Sequence, residues 1–194
     1  MDTLKLFMVL IGCKPKGRNT EQHDIFFGIG KSIKDLVPEL LNFWPEADGQ
    51  IHIDAWREVN QSTGYSIKIH PRSKEDSGTY GPLKTNSLFF INLGGYKEAE
   101  FEEFHYKFLI VAPDRAIASQ KAKQTAFYKH FGFTGATSHI DDKYGIDIDD
   151  IHEIEDILAP QIKAKFTIEA EWTGSIDEDH LNIGYLKLEK ISWF

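Results

Sequence analysis

Short apolar runs along the chain are separated by polar segments rich in glycine or proline, which predicts a mixture of strands and helices. The run from Leu4 to Ile11 ends at Gly12 and has the length of a strand that is buried on both faces. Around Pro38 apolar residues recur at the spacing of an amphipathic helix, and the proline predicts a late helix start or a kink. The predicted elements of this first segment are strands over 4–11, 23–30, 51–59 and 65–69 and a helix over 32–44.

An internal repeat relates the two halves of the chain. Residues 6–30 align without gaps on residues 88–112, and six of the 25 positions are identical, against about one or two expected by chance. Further along each half, His52-Ile53-Asp54 resembles His139-Ile140-Asp141. The identical pairs are Leu6/Leu88, Phe7/Phe89, Gly12/Gly94, Glu21/Glu103, His23/His105 and Phe26/Phe108.

The second half repeats the order of elements and then adds material of its own. An acidic helix is predicted from Asp147 to Leu158, because its isoleucines recur at helical spacing and Pro160 follows. The polar, turn-rich segment between the halves has the composition of a linker. The other predicted elements are strands over 88–93, 104–112, 136–140, 165–172 and 182–191 and a helix over 114–131.

These patterns predict an α+β fold made of two pseudo-symmetric ββαββ repeats packed as one compact body. A C-terminal helix and two closing strands are expected to cover an otherwise exposed surface. The predicted divisions of the chain are a first repeat over 1–70, a linker over 71–87, a second repeat over 88–148 and a C-terminal part over 149–194.

Composition limits the classes of function. The 194 residues include 22 basic and 30 acidic side chains, a formal net charge of -8, which argues against a nucleic-acid partner because phosphate binding depends on clustered Lys and Arg. Residues 1–82 carry a net charge of -1 and residues 83–194 carry -7, so the acidity belongs to the second half, where we interpret it as solvated surface. Cys13 is the only cysteine, which excludes an internal disulfide and a multi-thiolate metal site. No apolar stretch approaches the ~20 residues of a membrane-spanning helix.

Paired acidic and histidine side chains form the first candidate site, in which Glu21, His23, His52 and Asp54 are the candidate catalytic residues. Glu21 and His23 are two apart, as are His52 and Asp54, and residues two apart on a strand point to the same face. Such pairs can act as a general base or bind a divalent metal. We favour a structural role, in which the side chains satisfy nearby polar groups, and assign no metal ligands. The second half contains the pairs Glu103 with His105 and His139 with Asp141.

A basic loop and an aromatic strand segment form the second candidate site. Three cations surround Gly17 directly after the first strand, and such a loop can bind a phosphate or a carboxylate. Beside the His52 and Asp54 pair, an indole ring is available to stack on a ligand. The simpler interpretations are a solvated loop and a core tryptophan. The predicted ligand-binding residues are Lys14, Lys16, Arg18, Trp56 and Arg57.

Four segments, residues 6–12 (LFMVLIG), 20–24 (TEQHD), 26–28 (FFG) and 52–57 (HIDAWR), resemble the bacterial domain of unknown function 1543 family. The resemblance implies a cytoplasmic bacterial protein with one or two copies of the domain. The first copy covers about residues 4–56. The second, at about 86–141, is diverged and lacks counterparts of Gln22, Asp24 and Trp56. The resemblance brings no activity, ligand, cofactor or catalytic residue.

Two functions remain open. The leading one is a non-enzymatic protein whose repeats bind a small anionic ligand or a partner, with self-association as a homodimer, because no specific catalytic motif is present. The alternative is a metal-assisted hydrolase that acts on a small anionic substrate through the four candidate residues, with Arg18 polarising the substrate. Neither the reaction nor a cofactor is assigned. Convergence of both pairs and the basic loop on one cleft would favour the enzyme.

Overall fold

The computed structural model describes residues 3–72, 85–96, 99–131 and 147–193. The chain divides into two compact units, unit 1 formed by residues 1–77 and 158–194 and unit 2 formed by residues 78–157. Both units combine antiparallel strands with helices, which confirms the predicted α+β class. Within the described ranges, no helix is both long enough and apolar enough to cross a membrane.

Strands, α-helices and short 3-10 helices make up the described ranges. The strands are β1 (Lys5–Cys13), β2 (Gln22–Gly30), β3 (His52–Glu58), β4 (Gln61–Ser62), β5 (Tyr65–Pro71), β6 (Ser87–Tyr96), β7 (Glu103–Ala112), β8 (Asp147–Glu153), β9 (Phe166–Trp172) and β10 (Asn182–Lys187). The α-helices are α1 (Val37–Phe43), α2 (Arg115–Phe131), α3 (Ile154–Ile157) and α4 (Pro160–Lys163), with 3-10 helices at Ile33–Leu36, Pro45–Ala47 and Leu188–Trp193.

The main sheet of unit 1 has the strand order β10-β3-β1-β2, and its strand pairs are antiparallel. Alternate residues of β1, including Phe7, Val9 and Ile11, are fully buried in one core together with Leu36 and Leu40. Because side chains on a strand alternate between the two faces, Gly12 belongs to the opposite face. The candidate site is built on that opposite face.

The helical segment of unit 1 begins as the sequence predicts. Asp35 Oδ2 accepts a hydrogen bond from the backbone N–H of Ser32 at 3.1 Å, which satisfies a donor at the start of the segment. A 3-10 turn comes first, and the α-helix begins only at Val37, so Pro38 lies in the first helical turn, where it costs no hydrogen bond. The predicted late start is therefore confirmed.

The two predicted closing strands are present in unit 1. The first, β9, pairs with β5 in a second sheet of order β4-β5-β9. The second, β10, pairs with β3 at the edge of the main sheet and ends at Lys187, after which the chain turns into a 3-10 helix. Residues from the end of the chain therefore lie beside β3.

Unit 2 has a sheet of order β7-β6-β8. Its first strand, β6, lies between the other two strands, just as β1 lies between β2 and β3 in unit 1. Its core contains Ile91 and Leu93 from β6, Ile110 from β7 and Ala118 and Ala122 from α2. The helix begins where predicted, because Asp114 Oδ1 accepts a hydrogen bond from the N–H of Ile117 at 2.8 Å.

The acidic helix predicted over 147–158 is wrong for most of its length. Residues 147–153 form strand β8, and only Ile154–Ile157 is helical. The reason is a β-bulge: Ile148 pairs with Leu93 and Asp150 with Asn92, which leaves Asp149 without a pairing partner on β6. A bulge adds one residue to a strand, so two side chains three apart, such as those of residues 148 and 151, share a face and imitate helical spacing.

Candidate functional site

A row of three residues crosses the main sheet of unit 1 at the end of β1. Gly12 pairs with His23 of β2 on one side and with His52 of β3 on the other. Residues directly opposite one another in antiparallel strands share a face, so both imidazoles lie on the face opposite the core. Asp54 belongs to the same group because the β1–β3 register shifts between Leu10 and Ile11, which leaves Asp54 as the bulged residue.

The four predicted side chains contact one another in a chain. His52 Nε2 lies 2.9 Å from Glu21 Oε1 and 3.4 Å from Asp54 Oδ1. Asp54 Oδ2 lies 3.4 Å from His23 Nε2, so the aspartate connects the two histidines. Sequence spacing predicted each pair, and the structure brings both pairs together.

Gly12 provides the space in which these side chains meet. A methyl group at position 12 would lie 2.5 Å from His52 Nε2 and 2.8 Å from Asp54 Oδ2, which is closer than real side chains approach. The His52 imidazole and the Asp54 carboxylate therefore occupy the volume that a side chain at position 12 would fill. Any larger residue at position 12 would displace one of them.

Asp54 Oδ2 is a buried acceptor without a hydrogen-bond partner among the described residues. The contact with His23 does not meet hydrogen-bond geometry, whereas the other oxygen of the carboxylate faces His52. An unsatisfied buried carboxylate oxygen is costly, because it has lost water without gaining a donor. Because 26% of the Asp54 side chain is exposed, a rotation of its carboxylate would present this oxygen to a hydrogen-bond donor or a cation of a ligand.

Tyr185 of β10 forms one wall of the site. Its ring centroid lies 4.5 Å from that of His52, with the planes tilted by 36°. Tyr185 is largely exposed, whereas His52 is only 8% exposed. Sequence patterns contain no signal for Tyr185, because its approach to His52 depends on the pairing of β10 with β3, strands that are far apart in the chain.

The basic loop leaves the sheet next to this row. It connects β1 to β2 directly after Cys13, which pairs with Gln22 one position beyond the Gly12 and His23 pair. Lys14, Lys16 and Arg18 are exposed, and none of them forms an ion pair with the described residues. A backbone hydrogen bond of 3.2 Å from the N–H of Arg18 to the carbonyl of Pro15 closes the turn around Gly17.

Trp56 and Arg57 lie apart from this group. The bulge at Asp54 turns Trp56 toward the core, where its ring lies 6.0 Å from that of Phe7. Arg57 Nη2 donates to Met8 Sδ at 3.7 Å, and its Nη1 lies 4.0 Å from Asp179 Oδ2. Burial lowers the pKa of Arg57, and the charge of Asp179 acts against this effect. Trp56 therefore has the position of a core tryptophan, the simpler of the two interpretations of the sequence, and lies away from His52 and Asp54.

Cys13 follows Gly12 but is unsuited to act as a nucleophile. Its side chain is buried in the core of unit 1. Burial raises the pKa of the thiol, and the negative charge of Glu21 raises it further. A thiol with a raised pKa is mostly protonated at neutral pH and reacts slowly.

Unit 2 carries a related group on its own sheet. Gly94 pairs with His105 on one side and with Asp147 on the other, in the register that Gly12 has with His23 and His52. The segment at the position of His52-Ile53-Asp54 is therefore residues 147–149, which the sequence alignment missed. His139 and Asp141, predicted as the counterparts, lie outside the described residues.

The bulged residue of β8 completes the group in unit 2. Asp149 Oδ2 lies 3.1 Å from His105 Nε2, and Glu103 is close to both side chains. The first two members, Glu103 and His105, were predicted from the repeat, whereas Asp149 was hidden in the segment interpreted as a helix. In that segment an aspartate directly follows the first isoleucine, as it does in His52-Ile53-Asp54. This similarity was the signal in the sequence that could have identified Asp149.

Comparison with known proteins finds a family model that is similar to part of unit 1. Residues 18–69 match the family model described as Domain of Unknown Function (DUF1543). This segment begins in the basic loop and contains Glu21, His23, His52 and Asp54. The resemblance seen in the sequence is confirmed for this segment, and the second copy stays a prediction. No curated protein matches the chain.

Among the solved structures with a similar fold is one that aligns over most of the chain. It is the crystal structure of a protein Il1583 from Idiomarina loihiensis, with a TM-score of 0.57 and 21% sequence identity. The alignment covers 96% of this chain and 99% of that chain. At this level of identity the similarity shows the fold alone.

Proposed function

We propose that unit 1 binds a small molecule that carries an anionic group and a hydrogen-bond donor, and that it binds without chemical conversion. The observation that carries the proposal is the buried, unsatisfied Oδ2 of Asp54 in the row that contains His23, Gly12 and His52. A bound hydroxyl or ammonium group would satisfy this oxygen. On this proposal, Asp54 binds the hydrogen-bond donor of the ligand.

On the same proposal, the basic loop binds the anionic group of the ligand. Three exposed cations without ion-pair partners in the described part of the chain stand where β1 ends, one residue beyond Gly12. Arginine binds carboxylates and phosphates through two parallel hydrogen bonds, and lysine adds a point charge. Tyr185 offers a ring face against which the body of the ligand can pack.

The two units are, on this proposal, diverged copies of one ancestral domain. The matching strand orders and the bulge at the same register in β3 and β8 support this relation. The basic loop is confined to unit 1, because its counterpart over 96–101 contains a single cation, Lys97. The anionic ligand is therefore assigned to unit 1 alone.

Calorimetry with two matched probes tests the proposal. O-phosphoethanolamine carries a phosphate and an ammonium group, whereas ethyl phosphate lacks the ammonium group. We expect the wild type to bind the first probe at least about tenfold more tightly, since a hydrogen bond to a charged group contributes about 1.5–3 kcal/mol. Equal affinities for the two probes, or no binding of either, would contradict the proposal.

Three variants separate the contributions of the two halves. Asp54→Asn should abolish the preference for O-phosphoethanolamine, because the carboxylate that receives its ammonium group is lost. Asp24→Asn is the matched control: it removes the same charge one residue from His23, on the other face of β2. The triple variant Lys14→Gln, Lys16→Gln, Arg18→Gln should weaken both probes by a similar factor. If Asp24→Asn behaves like Asp54→Asn, general charge explains the effect and the site assignment is wrong.

A second function, metal-assisted hydrolysis of a small anionic substrate, is favoured by the contacts that join both pairs next to the basic loop. His52 Nε2 lies between two carboxylates, Glu21 and Asp54, in an almost buried position. This arrangement suits a general base. In such a reaction with p-nitrophenyl phosphate, a water oxygen bonds to phosphorus, the bond to the phenolate oxygen breaks, and the water proton passes to the base.

Turnover of p-nitrophenyl phosphate discriminates the two functions. The hydrolase predicts release of p-nitrophenolate with added Mn²⁺ or Zn²⁺, its loss in His52→Gln, and its retention in His70→Gln, whose imidazole contacts Glu169 on the second sheet. The binding proposal predicts no release above the buffer rate in any of these proteins.

Self-association and location complete the proposal. Ile183 and Tyr185 expose apolar surface along β10, an edge strand of the main sheet, which supports the predicted homodimer. Light scattering on the wild type and on Ile183→Lys tests it, since a dimer formed through β10 would dissociate in the variant. A cytoplasmic location, without a nucleic-acid or membrane partner, stays a prediction.

A further inference from the structure

Unit 2 brings together three side chains with the chemistry of a metal site. One donor atom each from Glu103, His105 and Asp149 lies within 4.8 Å of the other two. His105 Nε2 and Asp149 Oδ2 are 3.1 Å apart. Among the described residues, this is the only group of three such side chains with all donor atoms so close.

The sheet holds these side chains in place through its backbone. Glu103 and His105 are two apart on β7 and therefore share a face. Asp149 reaches them because it is the bulged residue of β8 and Gly94 has no side chain. A methyl group at position 94 would lie 2.3 Å from Asp149 Oδ2, so the carboxylate occupies the space above the glycine.

The spacing and the donor types fit a divalent transition metal. Bonds from Zn²⁺ to nitrogen and oxygen ligands are about 2.0–2.2 Å long, so neighbouring ligands lie roughly 3.0–3.5 Å apart. The 3.1 Å between His105 and Asp149 falls in this range. About a third of each of these two side chains is exposed, so an ion can enter and the glutamate can rotate inward. One imidazole and two carboxylates suit Zn²⁺, Mn²⁺ or Fe²⁺, with positions left for water.

Comparison with unit 1 explains why unit 2 is the better cation site. In unit 1 His52 contacts both Glu21 and Asp54, so an internal imidazole engages the two carboxylates. In unit 2 the register position of His52 belongs to Asp147. The sequence of unit 2 therefore has no imidazole at this register position, and the only imidazole of its group is that of His105.

From this geometry we infer that unit 2 binds one divalent transition-metal ion through Glu103, His105 and Asp149. The site gives a specific role to part of the acidity of the second half of the chain. All three side chains belong to unit 2, and the group shares no residue with the ligand site proposed for unit 1.

Calorimetry on protein without a histidine tag tests the inference with ZnCl₂ and MnCl₂ as probes. We expect one ion per chain in the wild type and at least about tenfold weaker binding in His105→Gln and Asp149→Asn. Asp150→Asn is the matched control: it removes the same charge on the neighbouring residue, which accepts a hydrogen bond from Asn92 Nδ2 at 3.0 Å.

A spectroscopic measurement identifies the ligands in the intact wild type. Pulsed electron paramagnetic resonance of bound Mn²⁺ should show modulation from a directly bound imidazole nitrogen, and His105→Gln should abolish it. Three results would overturn the inference: no stoichiometric binding of either ion, equal weakening by Asp150→Asn and Asp149→Asn, or a nitrogen signal that persists in His105→Gln.

Discussion

Gly12→Ala is the substitution that most directly perturbs the geometry of the unit 1 site. The added methyl group would approach His52 Nε2 to 2.5 Å, about 0.9 Å short of the 3.4 Å at which ordinary contact begins. His52 cannot easily retreat, since it is 8% exposed and lies against the Tyr185 ring. Either His52 or Asp54 must move, which breaks the contacts between Glu21, His52 and Asp54.

The expected cost follows from overpacking. Forcing a methyl group into a filled site typically costs about 1–3 kcal/mol, and the backbone at position 12 imposes no additional penalty because it is an ordinary strand conformation. Urea unfolding should show the free energy of unfolding lowered by about this amount. The variant should also lose its preference for O-phosphoethanolamine, because Asp54 is displaced.

A double-mutant cycle isolates the cause. If the clash with His52 is responsible, Gly12→Ala should cost about 0.5–3 kcal/mol less in a His52→Ala background than in the wild type. Additive effects of the two substitutions, or a Gly12→Ala protein as stable as the wild type with unchanged probe affinities, would show that Gly12 does not make room for these side chains.

Three further predictions concern unit 1. Leu40→Ala should lower the free energy of unfolding by about 2–5 kcal/mol, because Leu40 is fully buried. The neighbouring Leu41 is 41% exposed, so Leu41→Ala should lower it much less. Similar losses for both variants in urea unfolding would contradict the assignment of Leu40 to the core. Cys13 should react with 5,5′-dithiobis(2-nitrobenzoic acid) at least about tenfold more slowly in the folded chain than in urea at pH 8, because burial raises the pKa of its thiol; equal rates would contradict its buried position. Burial also raises the pKa of Asp179, against the opposing effects of the Asn60 N–H and Arg57, so the folded chain retains this proton to a higher pH than the unfolded chain. The stability contributed by this proton is fully present below the unfolded pKa of about 3.9 and is lost as the pH rises through the pKa of the folded chain. Between pH 4 and pH 7 the free energy of unfolding should therefore fall less in Asp179→Asn than in the wild type. An equal fall in both proteins would contradict this prediction.

Local patterns in the sequence predict the elements that depend on local physics. The apolar run before Gly12, the delayed helix at Pro38 and the helix that begins after Asp114 all appear at the predicted places. Each of these elements depends on residues that are close together in the chain. The strand depends on its run of apolar side chains, the delayed helix on the backbone donor that proline lacks, and the later helix on a capping side chain. The pairs Glu21 with His23 and His52 with Asp54 were also found from spacing alone.

Features that depend on pairing between distant segments were missed. Ile148 and Ile151 are three apart in both a helix and a bulged strand, so the sequence pattern fits both structures. The same type of bulge at Asp54 sends Trp56 to the core, although simple alternation places it beside the site. The position of Tyr185 against His52 requires the knowledge that β10 pairs with β3.

Long-range register also determines how the candidate residues can act. Spacing alone predicted two separate pairs, and it could not show that Asp54 connects them or that Gly12 leaves the space for it. The same holds in unit 2, where Asp149 joins a pair that the repeat had revealed. In both units a glycine in the central strand and a bulge in its neighbour create the group.

The most direct test of the proposed ligand site is the imidazole carbon–proton spectrum of the histidines during titration with O-phosphoethanolamine. The signals are assigned with His23→Gln, His52→Gln and His70→Gln. If the ligand binds at Asp54, the His23 and His52 signals should shift together and saturate in the wild type, while His70, on the second sheet, should remain in place. In Asp54→Asn these shifts should disappear. Unchanged His23 and His52 signals at saturating probe, or shifts that persist in Asp54→Asn, would rule out binding at Asp54.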